Sequence, residues 1–199
     1  MARVTTKQVA AEADCSEASI YYHFRDRTDL IAEVVAARTA ELTTRLGDLP
    51  LSPQGSATER LAALTAAVAE TFAELIGLSS PLFADPQVLE RFRAVLVERS
   101  LSLHGIQATV AARLGEEQRQ GRLREDVDVH TVALLIVGAC HEVALEAHLM
   151  GQARQFTPDQ AAARIAATLG TLLIPPPAPT AATGARPGST SRTPHRRSD

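Results

Sequence analysis

The chain has no tryptophan, only two cysteines and few aromatic residues of any kind. Aromatic residues make up 4% of its 199 residues, while apolar residues make up 45%. This balance is typical of helical packing based on alanine and leucine, and it predicts an all-α fold. Cys15 and Cys140 lie far apart in different predicted helices. We therefore expect two free, buried thiols and no disulfide.

The sequence also lacks an excess of basic over acidic residues. The formal net charge is −3 with an isoelectric point near 6.1, and the segment 1–46 contains six basic and seven acidic residues. Binding to nucleic acid is therefore not predicted by overall charge, and it would have to depend on a few well-placed cations.

No signal-peptide pattern opens the sequence, and no uninterrupted apolar run approaches the roughly eighteen residues that a membrane-spanning helix needs. We expect a cytoplasmic protein with no membrane contact. Metal-ligand spacings and phosphate-binding loops are not found either, so we expect no metal and no cofactor.

The N-terminal residues show the signals of two short helices joined by a tight turn. Thr5 and Gln8 form a capping box, which predicts a helix beginning one residue after the threonine. Ser16 is a favoured N-cap for a second helix over about 17–22, and Asp26 caps a third. Two short helices in this order are typical of a helix-turn-helix that reads DNA.

The second helix has one apolar side. Ile20 and Phe24 are four residues apart and predict its buried face, which leaves the aromatic cluster Tyr21-Tyr22-His23 near the exposed side. Because two adjacent tyrosines cannot both point inward, at least one should reach the DNA backbone.

These residues resemble the TetR/AcrR family of bacterial transcriptional regulators. The resemblance depends on Thr6–Ala13, on Ser16, on the run Ile20–Phe24 and on Asp26-Arg27 ahead of Leu30. It implies that the start of the second helix reads bases and that residues around it contact phosphates. The residues that we expect to contact DNA are Thr5, Thr6, Lys7, Ser16, Glu17, Ala18, Ser19, Tyr21, Tyr22, His23 and Arg27.

One departure from the family lies in the turn between the two helices. The family usually has glycine where this chain has Asp14. Aspartate tolerates a left-handed backbone better than most residues, so we expect the turn to form.

A second departure concerns a preceding helix of about four turns, which family members normally carry and for which Met1–Arg3 leaves no room. Without it, we expect the faces of Val9, Ile20, Phe24 and Leu30 to be more exposed. We interpret the sequence as a shortened gene model; the alternative is a true product with impaired DNA binding.

The chain divides into a DNA-binding domain with its connecting helix (1–46), a helical effector-binding and dimerisation domain (47–174) and a tail rich in Pro, Ala, Thr and Arg (175–199) that we expect to be disordered. In the second domain a capping box at Ser56 opens a helix that Ser79-Ser80-Pro81 is predicted to end. The next helix follows Asp85-Pro86 and carries an apolar face that extends to Leu103.

The last two predicted helices begin near Asp128 and Thr157. Because Val132–Cys140 is small or apolar on every side, that helix needs cover from more than one direction. The family resemblance implies that these two helices pair with their copies in a homodimer, which suits a palindromic DNA operator.

A largely apolar small-molecule effector is predicted from the side chains of the second domain. The residues that we expect to line its site are Val68, Phe72, Phe92, Leu96, His104 and His141. His141 also lies beside Glu142 and seven residues before His148, but zinc-helix spacing and a neighbouring nucleophile are missing, so we interpret these residues as interface or pocket residues and not as an enzyme site.

The sequence thus predicts a ligand-responsive transcriptional regulator, a repressor that binds a palindromic operator as a homodimer. The alternative is a TetR-like ligand-binding or dimerising protein whose DNA binding is impaired because the first helix is missing. A small helical enzyme that uses His141 and Glu142 is a more distant third possibility.

Overall fold

The computed structural model describes residues 5–102, 104–151 and 155–176, which form eight α-helices and no β-strand. The predicted all-α fold is therefore confirmed. The helices are α1 (Thr6–Glu12), α2 (Glu17–His23), α3 (Arg27–Gly47), α4 (Ala57–Ala84), α5 (Pro86–Glu98), α6 (Gly105–Arg119), α7 (Val129–Met150) and α8 (Pro158–Leu173).

Most helices begin where the sequence predicts a cap. The Thr5 hydroxyl accepts from the backbone N–H of Gln8, and the Gln8 side chain accepts from the backbone N–H of Thr5 in return. Equivalent capping boxes open α4 at Ser56 and α8 at Thr157. These side chains satisfy N–H groups that have no partner within the helix, which fixes where each helix starts.

The predicted end of α4 is wrong, because the helix continues through Pro81 to Ala84. Proline removes one backbone donor and crowds the preceding turn, which usually ends a helix. Here the following turn is held by Leu82, which is buried between α3 and α5. Burial of one large apolar side chain therefore outweighs the local signal.

The next helix ends at Glu98, short of the predicted Leu103, and Ser100 just beyond it has a left-handed φ of +52°. Leu103 itself and the tail from residue 177 onward lie outside the described residues.

Three groups of buried side chains organise the described residues. The large core is built from α4, α6, α7 and α8, with Leu64, Leu114 and Ile136 among its fully buried members. An α3–α5 cluster joins Ala32 and Val35 to α5 and to the end of α4. The reading cluster consists of Ala10, Ile20 and Leu30, with Val9 and Phe24 half-buried at its edge.

Helix α3 contributes to all three groups. It supplies Leu30 to the reading cluster, Ala32, Val35 and Ala36 to the α3–α5 cluster, and Leu42 and Leu46 to the large core. At its C-terminal end, the Arg113 guanidinium donates to the backbone carbonyls of Gly47 and Leu49. A single helix therefore connects α1 and α2 to the rest of the fold.

The expected exposure next to the reading cluster is confirmed only in part. Val9 and Phe24 are half-buried, but Ile20 and Leu30 are 6% and 9% exposed. These two side chains are covered by each other and by Ala10, so α1, α2 and the start of α3 form a small core of their own.

Helices α4 and α7 are long and apolar enough, by length and mean hydropathy, to cross a membrane. By this criterion, the expectation that no segment is long and apolar enough to span a membrane is wrong. Core helices of soluble proteins meet the same criterion, and α4 and α7 pack against each other in the large core.

The cysteines are both free, but only Cys140 is buried. The prediction of two buried thiols is therefore wrong for Cys15, which lies exposed in the turn between α1 and α2. Burial raises the pKa of the Cys140 thiol to about 12. Its Sγ lies 3.7 Å from the carbonyl oxygen of Thr65 in the large core.

One ion-pair cluster is buried beside the large core. The Glu117 carboxylate of α6 accepts from Nε of Arg60 at 2.8 Å and from Nε of Arg122 at 2.5 Å, and the second nitrogen of each guanidinium also bonds to it. Glu117 and Arg60 are 6% and 9% exposed. Burial alone would raise the pKa of Glu117, but the two guanidinium groups lower it to about 2.

Candidate nucleic-acid interface and effector region

The turn between α1 and α2 is formed by a left-handed residue. Asp14 has a φ of +49°, and the following Cys15 N–H donates to the carbonyl of Ala10 at 2.9 Å. The backbone of aspartate adopts this region at lower cost than most residues do. The turn therefore forms without glycine, as predicted.

Helix α2 presents an aromatic surface to solvent. Tyr22 is 86% exposed and Tyr21 50% exposed, whereas Ile20 faces the reading cluster. The Tyr22 and His23 rings meet edge to face with centroids 5.1 Å apart. Both tyrosines are thus on the outside of the helix, which is more than the single exposed tyrosine that the sequence required.

Three of the predicted DNA contacts bond to one another. The Thr6 hydroxyl lies 2.7 Å from Oε1 of Glu17 and 3.2 Å from the phenolic oxygen of Tyr21. These bonds connect the first turn of α1 to two positions of α2 that lie one turn apart. The sequence did not predict this pairing, because Thr6 and Glu17 are in different helices and only the turn geometry brings them together.

The N-terminus of α2 is held by serine side chains. The Ser16 hydroxyl accepts from the backbone N–H of Ser19 at 3.0 Å and lies 2.9 Å from the Ser19 hydroxyl. Ala18 is exposed between them. The base-reading positions that the resemblance implies therefore lie on the first turn of α2, with small side chains that allow close approach.

The remaining predicted contacts are also accessible. Thr5, Lys7, His23 and Arg27 are exposed, and Thr6 is half-buried. Arg27 is the first residue of α3 and Lys7 lies in the first turn of α1. Cations at such positions can contact phosphates, which position a protein on DNA without reading its sequence.

The acidic residues of segment 1–46 are less unfavourable for DNA than their number indicates. Asp29 and Glu33 are paired with arginines at the α3–α5 contact, and Glu41 pairs with Arg38 at 2.7 Å. Since paired carboxylates contribute little net field at a distance, the local charge near α2 matters more than the sum over the segment.

The six predicted effector residues lie in three places. Val68 is in the large core, where Phe72 meets the exposed His141 edge to face at 5.4 Å between ring centroids. Phe92 and Leu96 belong to the α3–α5 cluster. His104 is exposed immediately before α6. Their role as an effector site stays a prediction.

A partly open cleft of about 190 Å³ lies between α3, the end of α5 and the start of α6. Among the predicted effector residues only Leu96 lines it. Thr39 and Thr43 of α3 form one wall, and their hydroxyls donate to carbonyls one turn earlier in the same helix. The cleft therefore contains both apolar surface and hydroxyl oxygens that can accept hydrogen bonds.

Helix α2 is exposed, begins at a capped residue after a tight turn, and has α1 and α3 packed behind it. This is the arrangement of a helix-turn-helix DNA-binding protein. Residues 1–34 match the family model of bacterial regulatory proteins, tetR family. The N-terminal segment of this chain is therefore similar to the tetR family of regulators, as the resemblance implied. A comparison with curated proteins found no match.

Solved structures share the fold of nearly the whole chain. A protein described as a TetR-family transcriptional regulator from Mesorhizobium loti is 15% identical with a TM-score of 0.63, over 86% of this chain and 87% of that one. The reduced form of NemR from E. coli is 17% identical with a TM-score of 0.63, over 88% and 89%. The transcriptional regulator FadR from Bacillus subtilis, in complex with stearoyl-CoA, is 15% identical with a TM-score of 0.60, over 84% and 87%. At these low identities the likeness establishes the fold alone.

Proposed function

We propose that this protein is a ligand-responsive transcriptional repressor that binds a palindromic operator as a homodimer. The observation that carries the proposal is the exposed, serine-capped helix α2 within a segment that matches the tetR family. Family and structural neighbours are regulators, so we place the activity in DNA binding and not in catalysis by His141 or Glu142.

In the proposed complex, the first turn of α2 enters the major groove. Ser16, Ala18 and Ser19 are small enough to let the backbone approach base edges, and the Glu17 carboxylate can accept from a cytosine amino group. Glu17 already accepts from Thr6, so that bond orients its carboxylate before DNA arrives. Lys7, Tyr22 and Arg27 would contact phosphates on either side.

The proposed dimer forms through α7 and α8. Both helices carry large apolar side chains that are more than half exposed: Leu134, Leu135, Leu149, Met150 and Leu172. An added Cβ at Gly138 would meet nothing within 4 Å, so this point of α7 is open to a close neighbour. A two-fold axis there would cover the apolar face and place two α2 helices for the two halves of a palindrome.

The proposed effector is a largely apolar small molecule. The cleft between α3, α5 and α6 is smaller than the few hundred Å³ of a usual ligand pocket, so a ligand would have to widen it. Widening would move α3, which carries the DNA-binding unit. A ligand that binds the widened state more tightly shifts the equilibrium away from the DNA-bound state. A protein with these partners would work in the cytoplasm.

The test of DNA binding is a mobility shift with the region upstream of the protein's own gene. We expect a shift that weakens as salt rises, because binding releases counterions from phosphates. Tyr22→Ala and Lys7→Ala should weaken it, whereas Phe83→Ala and Arg93→Ala should not. The two controls remove an exposed aromatic and an exposed cation from α4 and α5, away from α2.

The test of the dimer is light scattering on Leu134→Glu. A charge in the centre of the proposed interface should give a monomer, while Val97→Glu, at an 81% exposed apolar position of α5, should leave the dimer intact. A stable wild-type dimer that shifts no DNA at low salt would refute the repressor and support the alternative, a TetR-like dimeric ligand-binding protein.

A further inference from the structure

A buried carboxylate holds the connection between α2 and α3. Asp29, 6% exposed in the first turn of α3, accepts from the backbone N–H of Arg25 at 2.9 Å through Oδ2. The Arg25 guanidinium lies 3.4 Å from both carboxylate oxygens. Residue 25 follows the C-cap of α2 and precedes Asp26, the N-cap of α3. Asp29 therefore fixes the path by which the chain leaves the DNA-reading helix.

The same carboxylate is bound from the other domain. Nε of Arg91, on α5, donates to Oδ1 of Asp29 at 2.5 Å. Burial would raise the pKa of Asp29, but the Arg25 N–H and the Arg91 guanidinium lower it to about 2. The bond between Arg91 and Asp29 thus joins two ionised groups at neutral pH.

Arg91 is itself held in place on α5. Its two terminal nitrogens donate to the Glu98 carboxylate at 2.7 and 3.1 Å, two turns further along the same helix. Glu33 of α3 lies 3.6 Å from Arg91 and pairs with Arg99 at 2.5 Å. A planar guanidinium that is bonded at both ends has one orientation, so its Nε is aimed at Asp29.

We propose that Arg91 is a positioning residue for DNA reading, which acts through Asp29 on the α2–α3 connection. The inference rests on the proposed function, since it assigns to α5 a contact that sets the angle of the reading helix.

The apolar packing of α5 against α3 does not include the α2–α3 connection. On α3, the α3–α5 cluster involves Ala32, Val35 and Ala36, with Ile31 packed against it, and all four lie after Asp29 in the chain. On the other side, the reading cluster is small and links α1 and α2 to α3 mainly through Leu30. Between these two groups, the Arg91–Asp29 pair connects α5, through Asp29, to Arg25, the residue that follows the C-cap of α2.

Hydrogen exchange measured by mass spectrometry on the full chain tests the proposal without DNA. We expect Arg91→Gln and Asp29→Asn to increase amide exchange over 17–26 by about tenfold or more, the size expected for loss of a charge-assisted bond. Exchange in α7 should stay within about twofold, because that helix is remote from the pair. Arg93→Gln is the matched control, an exposed arginine of the same helix.

A combined variant distinguishes positioning from general loss of packing. If Arg91 acts through Asp29, Arg91→Gln with Asp29→Asn should exchange no faster over 17–26 than the worse single variant. Arg91→Lys retains the charge but not the planar fork, and we expect it to recover only part of the protection. Equal acceleration in α7 and in 17–26, or no acceleration at all, would overturn the proposal.

DNA binding provides the second readout. For Arg91→Gln we expect operator affinity to fall about tenfold with little change in its salt dependence, since no phosphate contact is removed. If the wild type binds no DNA, the repressor proposal fails, but the exchange data still decide whether Arg91 positions α2.

Discussion

Replacing Glu117 by glutamine removes the carboxylate charge that lies between the buried Arg60 and the half-buried Arg122. The substitution retains the size of the side chain and leaves Arg60, 9% exposed, without its carboxylate partner. Breaking a buried pair from one side typically costs 3–5 kcal/mol. We therefore expect Glu117→Gln to lower the free energy of unfolding by about 3 kcal/mol at neutral pH.

The pH dependence of stability gives a second value for this free energy. The pKa of Glu117 is about 2 in the fold against an ordinary value of 4.5. Because folding lowers the pKa of Glu117, its carboxylate stabilises the fold at pH values above the pKa of the unfolded chain. This stabilisation is lost as the pH falls toward the pKa of the folded protein. The contribution is about 3 kcal/mol at pH 7 and falls to about 1 kcal/mol at pH 3. The difference between wild type and Glu117→Gln should shrink by the same amount.

Urea unfolding followed by circular dichroism measures this difference, since the chain has no tryptophan for fluorescence. Wild type and variant are compared at one protein concentration, because association also affects apparent stability. Glu116→Gln is the matched control: its carboxylate pairs with Arg119 on the surface, and we expect a loss below about 0.5 kcal/mol. A loss below about 1 kcal/mol for Glu117→Gln at pH 7, or a loss that is the same at pH 3, would refute the reasoning.

Two further predictions concern the turn between α1 and α2 and the two thiols. Asp14→Val places a β-branched residue at a φ of +49° and should destabilise the protein by about 1–2 kcal/mol in the same urea assay. Asp14→Gly should change the stability by less than about 0.5 kcal/mol. Equal stabilities of the two variants would contradict a left-handed Asp14. With a thiol-reactive dye, Cys15 of the native chain should react quickly, whereas Cys140 should react only after denaturation. The reason is that burial raises the pKa of the Cys140 thiol to about 12. Two fast thiols would show that the large core opens near α7.

Local signals in the sequence predicted the helix starts well. Thr5, Ser16 and Asp26 cap the first three helices as expected, because capping depends on residues only two or three positions apart. The prediction of where α4 ends was wrong for the opposite reason. Whether a helix stops at Pro81 depends on what covers Leu82, and that partner comes from α3 and α5, far away in the sequence.

The exposure of the candidate DNA-contacting residues could be predicted from the sequence, but the bonds between helices in this region could not. The exposed residues of α2 could be recognised from their spacing, since a helix with one apolar side must present the other side to solvent. The bond from Thr6 to Glu17 and the bond from Arg91 to Asp29 could not be predicted, since each needs the relative placement of two helices. Charged side chains carry no periodic pattern that identifies such partners, and the effector role of the six residues stays a prediction.

Helix α3 has a geometric consequence for DNA reading. Its 21 residues span about 31 Å, and Leu42, Leu46 and Arg113 fix its C-terminal end in the large core. A tilt of about 5° about that end displaces the N-terminal end, with α2 attached, by about 3 Å over a helix of this length. The rise of one base pair is about 3.4 Å. A rotation too small to disturb the packing near Leu42 is thus enough to move α2 by nearly one step along the DNA.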